Sequence, residues 1–109
     1  MFPPRVPTFE VYAGDDFSET IRFQEQGASV DLSEWSDWQA EWRGGELQES
    51  FTVDATQARS GLIALSLTPD QTRVMQPAGT WDLQATRPGE VKTWAAGSTL
   101  WRIDVTGRP

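Results

Sequence analysis

Apolar residues alternate with polar ones in short runs along this 109-residue chain, and Gly, Pro or Asp closes each run after roughly ten residues. A period of two places alternate side chains on opposite faces, so each run can bury one face as a β-strand. Thr8 to Ala13 sets Phe9 and Val11 against Glu10 and Tyr12, and Gly14-Asp15-Asp16 turns the chain. Phe17 to Gln24 sets Phe17, Ile21 and Phe23 against Ser18, Thr20 and Arg22, with Glu19 out of place on the apolar side. After a turn at Gln26-Gly27-Ala28-Ser29, Val30 to Ser33 reads as a short bridge. Asp37 to Arg43 then aligns Trp38, Ala40 and Trp42 on one face. Gly44-Gly45 can take positive φ at both central turn positions, so a tight hairpin should lead into Glu46 to Asp54, with Leu47, Phe51 and Val53 inward.

A strand follows Gly61 and buries Ile63, Leu65 and Leu67. Thr68-Pro69-Asp70-Gln71 is a helix start: a capping threonine, proline at the first helical position, and glutamine three residues after the cap. Pro77 and Gly79 limit that helix to about 69–76. Trp81, Leu83 and Ala85 alternate along Thr80 to Thr86, and Pro88-Gly89 fits a type II turn. Glu90 to Ala95, a turn at Gly97-Ser98, and Thr99 to Thr106 with Trp101, Ile103 and Val105 buried complete the pattern. The expected fold is an all-β, immunoglobulin-like antiparallel sandwich of seven or eight strands with one short helix. It occupies 8–106, between an extended N-terminal arm (1–7) and a short tail (107–109).

Absence of histidine and cysteine removes disulfides, thiolate zinc sites and histidine-based triads. The net charge of -7 disfavours nucleic acid, whose phosphates attract cationic surfaces. No apolar run spans a bilayer, and Met-Phe-Pro-Pro-Arg lacks the apolar core of a signal peptide. Paired acids could still hydrolyse glycosides, with Asp15, Asp16, Asp31, Glu34 and Asp37 as candidates. Turn carboxylates that cap loops in water give the same pattern, no calcium loop is present, and no serine has a base at motif spacing. No catalytic residue, metal or cofactor is expected.

Six tryptophans and five phenylalanines must fill a core, an interface, or both. Trp38, Trp42, Trp81 and Trp101 lie in phase with core positions. Trp35 and Trp94 are out of phase or in a turn, which makes them candidate rings for a partner or a stacked sugar, with packing over a sheet edge as the blander reading. The arm offers Phe2, Pro3, Pro4 and Val6 on a stiff extended segment. Asp15, Asp16, Asp31 and Glu34 supply acidic loops. Residues 1–54 carry 12 acids and 3 bases, net -9, against 4 acids and 6 bases, net +2, in residues 55–109. If the two halves formed separate poles, contacts between copies would gain electrostatic guidance.

The order of Gly14-Asp15-Asp16, Val30-Asp31-Leu32-Ser33, Leu67-Thr68-Pro69-Asp70-Gln71-Thr72, Gly79-Thr80-Trp81-Asp82-Leu83 and Gly97-Ser98-Thr99-Leu100 resembles the small β-sandwich domains of tailed-bacteriophage virions. It looks most like the N-terminal domain of the baseplate upper protein family, from about Thr8 to Thr106. The resemblance implies a non-enzymatic tail or baseplate component that binds other virion proteins and further copies of itself, made in the host cytoplasm and located in the virion. No following fibre segment appears, so a capsid decoration protein bridging shell subunits is the alternative within that class. A carbohydrate-binding adhesion module, with Trp35 or Trp94 as platform, is the alternative outside it.

Overall fold

The two longest strands form the hairpin on which the molecule is built. In the computed structural model, which describes residues 8–75 and 78–102, β1 (Phe9–Tyr12), β2 (Phe17–Arg22), β3 (Gln24–Glu25), β4 (Ala28–Ser29), β5 (Ser36–Gly44), β6 (Leu47–Ser50) and β7 (Thr52–Asp54) precede a 3₁₀ turn at Ala58–Ser60. After it come β8 (Leu62–Leu67), α1 (Pro69–Val74), β9 (Ala78–Arg87) and β10 (Glu90–Arg102). A five-stranded sheet runs β1-β10-β9-β5-β6, a three-stranded sheet runs β2-β8-β7, and β3-β4 form a small ribbon. The β-sandwich expected from the alternation is therefore present.

Ten strands replace the expected seven or eight for identifiable reasons. Gln26 adopts φ 52° beside Gly27 at 82°, and this tight turn pairs Gln24 with Ser29 as the extra ribbon. The single strand expected over Glu46 to Asp54 divides at Phe51. Its first part pairs with β5 and its second with β8, so the chain changes sheets at that corner. The expected turn at Gly97-Ser98 is not a turn: β10 runs straight through, with Gly97 opposite Trp81 and Ser98 opposite Thr80. Glycine there continues the strand instead. The arm at 1–7, the strand end with Ile103 and Val105, the tail, and the expected helix end at Gln76 lie outside the described residues.

Inward alternation decides the core. Val11, Phe23, Leu32, Trp42, Ile63, Leu65 and Leu83 are completely or almost completely enclosed. Leu47, expected inward, is exposed because β6 is an edge strand lying beyond the reach of the second sheet. Trp38 and Trp101 are half-buried rather than enclosed. Glu19 stays in register opposite Leu65 and is exposed on β2, an edge strand of the small sheet. A charge on an edge strand discourages a second strand from pairing there.

Two aromatic groups fill the sandwich. Phe9 stacks on Trp81 at 4.3 Å between centroids, with Phe17 tilted against Phe9 and Phe51 edge-on to both stacked rings. Trp94 meets Trp35, Phe23 and Trp38 at 5.2, 5.8 and 6.2 Å. Trp42 lies between, with its Nε1–H donated to Thr99 Oγ1 at 2.9 Å. Its indole rests against the backbone of Gly79, where any Cβ would collide with the ring.

Candidate interaction surface

The loops at the two ends of the sandwich hold the acids singled out from sequence, and they have different tasks. At one end, the turn after β1 brings Asp15 and Asp16 beside α1. Thr68 Oγ1 accepts from Gln71 N–H while Gln71 Oε1 accepts from Thr68 N–H, the reciprocal cap expected of this tetrapeptide. That cap fixes Thr72, which is fully enclosed. Thr72 Oγ1 accepts from Gly14 N–H at 3.0 Å and lies 2.8 Å from the Asp15 carbonyl, while the Thr72 carbonyl accepts from Trp101 Nε1–H at 2.8 Å. Asp15 is half-buried in this junction, and only Asp16 faces water freely.

At the other end, Asp31, Glu34, Trp35 and Trp94 come together with residues that sequence reading passed over. Asp31 Oδ1 accepts from Ser33 N–H at 2.9 Å, closing the loop. The Ser33 hydroxyl and N–H, with a smaller contribution from Arg59, hold the Asp31 carboxyl below its ordinary range. Thr56 does the same for Asp54, chiefly through its backbone N–H. Glu34 reaches Arg87 at 3.6 Å. The Arg87 guanidinium lies 4.5 Å from the Trp35 ring, and the Lys92 ammonium lies 4.0 Å from the ring of Trp94.

Trp35 and Trp94 are not surface rings: they are 9% and 4% exposed. Their out-of-phase positions follow from the loop preceding β5 and from a register shift in β10 between Thr93 and Ala95. Both aim a nominally outward residue into the core. Their burial favours packing, the other reading of these two rings, and a cation lies over each ring. Trp38 is half-buried and keeps part of its ring at the surface. It lines a cleft of about 500 Å³ with Ser33, Trp35, Thr56 and Arg59. It also lines a second of about 400 Å³ with Gln39, Phe51 and Val53. Asp37, at φ 51° within a bulge of β5, directly precedes it. The sequence signal for that bulge was weak, because aspartate in the left-handed region leaves no compositional trace beyond itself.

Charge does not separate into poles. The acid-rich first half supplies β1, β5 and β6 of the large sheet and the second half supplies β9 and β10 between them. Glu10 pairs with Arg102 at 2.7 Å, and Glu34 with Arg87, across that boundary. Among the described residues, no three His, Cys, Asp or Glu side chains converge to hold a metal ion. Asp31 and Glu34 are exposed, each engaged separately.

The sequence matches no family model and no curated protein. The fold is similar to the solved N-terminal domain of phage TP901-1 ORF48, with a TM-score of 0.52 at 10% sequence identity over 94% of this chain and 90% of that one. The resemblance to a small phage β-sandwich domain thus holds for the fold along nearly the whole chain.

Proposed function

We propose that this chain is a non-enzymatic structural protein of a bacteriophage virion, a tail or baseplate component that binds other virion proteins. The observation that carries the reading is the fold shared with a phage domain over almost all of both chains. The chemistry of the surface agrees with it. The acids expected as catalytic candidates instead close loops, form ion pairs or border α1, and a shallow aromatic groove suits contact with another chain. Burial of Trp35 and Trp94 withdraws the rings on which a saccharide platform depended.

In this proposal the arm residues Phe2, Pro3, Pro4 and Val6 lie on a neighbouring subunit. Prolines restrict the free arm, so less conformational freedom is lost when it is ordered on a partner. Deletion of residues 2–7 should leave a domain with unchanged thermal unfolding that no longer enters particles. Normal incorporation of the truncated chain would refute the role given to the arm.

A further inference from the structure

The outer face of the small sheet holds a further cavity beside the clefts at Trp38. In β8, Ile63, Leu65 and Leu67 are buried, and Leu62, Ala64 and Ser66 alternate with them on the outer side. The register sets Ala64 between Thr20 of β2 and Asp54 of β7. A small residue on the middle strand, flanked by longer ones, leaves a depression. Leu62 N–H donates to the Gln57 carbonyl at 3.2 Å, which holds the loop after β7 against one end of it. The cavity measures about 190 Å³ and is lined by Thr20, Asp54, Thr56, Gln57, Leu62 and Ala64.

One wall is arranged in advance. Asp54 Oδ1 accepts from Thr56 N–H at 2.9 Å, and the Thr56 hydroxyl adds a second bond to the carboxylate. A carboxylate has about four acceptor positions, so the turn fixes this group and leaves capacity for a ligand. The Gln57 amide and the hydroxyls of Thr20 and Thr56 can each donate and accept. Size and charge then select the ligand. Drug-sized molecules fill about 300–1,000 Å³, whereas this volume suits about one six-membered ring. Asp54 is the charged member of the lining and opposes anions. Arg22, opposite Leu62, and Arg59, in the neighbouring cleft that shares Thr56, weaken its pull on cations. A wholly apolar ring would leave the polar wall without partners. We infer that this cavity binds one neutral pyranose unit of a saccharide, with ring hydroxyls on Asp54, Gln57 and Thr20 and a C–H face on Leu62 and Ala64. The inference goes beyond the virion role proposed above and does not depend on it. It needs neither Trp35 nor Trp94.

NMR titration of the isotope-labelled full-length chain tests it, with D-glucose, D-galactose and N-acetyl-D-glucosamine as probes and glycerol, choline chloride and sodium phosphate as controls. At least one sugar should saturate with a dissociation constant on the order of 1–10 mM, as suits a shallow site with few contacts. It should move the amide signals of Thr20, Asp54, Thr56, Gln57 and Leu62, and the controls should not. Ala64→Leu fills the floor without removing a polar group, and Gln57→Ala removes one exposed amide from a loop. Each should weaken binding about tenfold or more, as loss of one good contact would, while Trp38→Ala leaves it unchanged. No saturable response to any of the three sugars overturns the inference. So does a response that glycerol, choline or phosphate reproduces, or one that survives both Ala64→Leu and Gln57→Ala. Sugar binding at these residues in a chain absent from particles would refute the virion role and leave this inference standing.

Discussion

The α1 end and the Trp38 end of the sandwich are built from the same materials, tryptophan, threonine, aspartate and a short helical turn, yet they finish differently. At the α1 end the threonine and indole groups of the junction meet partners inside the protein. Thr72 joins the β1 turn to the helix, and the indole N–H groups of Trp42 and Trp101 are satisfied by Thr99 and by the Thr72 carbonyl. At the other end, Trp38 is half-buried, and its Nε1 is enclosed with no acceptor among the described residues. Arg59 and Thr56 border open clefts. One end is closed upon itself, and the other retains surface that a second chain could complete.

The contrast can be broken most forcefully at the indoles. Trp42→Ala should destabilise the fold by about 3–5 kcal/mol, because it empties a filled core position and strands the Thr99 hydroxyl. Trp38→Ala should be much milder, about 1 kcal/mol, since part of its ring is already in water. Denaturant unfolding of both variants checks this, and equal losses would erase the distinction between the ends.

Gly61 sharpens the account of the Trp38 end. It adopts φ 79°, ends the 3₁₀ turn, and accepts from Phe23 N–H at 2.8 Å. An added Cβ would lie 2.7 Å from the Phe23 carbonyl and 2.9 Å from that of Val30. Gly61→Ala should therefore cost roughly 2–3 kcal/mol by thermal unfolding, from left-handed strain and contact with fixed backbone. Thr72→Val should remove the junction at the other end at about 1–3 kcal/mol, leaving the Gly14 N–H without its acceptor. Its near-UV circular dichroism should also change, because the anchor of Trp101 shifts.

Much of this was legible because alternation reports burial directly. Phe9, Val11, Trp42, Trp81, Leu83 and the Thr68–Gln71 cap stand where the pattern placed them. What it missed came from events that change the period. A bulge at Asp37, a register shift near Trp94 and a sheet change at Phe51 each redirect side chains without altering composition. Gly97 misled in the opposite sense, since glycine can also sit inside a strand, as it does in β10. The candidate groove was unreadable for the same reason: it exists only because β7 leaves β6's sheet. Asp31 and Glu34 were correctly placed on a loop near Trp35, but their ties to Ser33 and Arg87 depend on folding.

The smallest predicted effect is acid sensitivity. Asp31 and Asp54 titrate below their ordinary value near 3.8 in the folded chain. Their contribution is present above that value and is lost as pH falls below it through the folded-state value. Both are exposed, so stability should soften only slightly there. Carboxyl NMR titration should show both below 3.8, and Asp31→Asn should remove only its own share.

The central claim is that this sandwich serves by adhering within a virion. Quantitative mass spectrometry of phage particles purified from a lysate that contains the chain tests that directly. The account predicts the chain in a fixed ratio to other particle proteins, retained through repeated density-gradient purification. Absence from the particles, with the chain remaining free in the lysate, would contradict it.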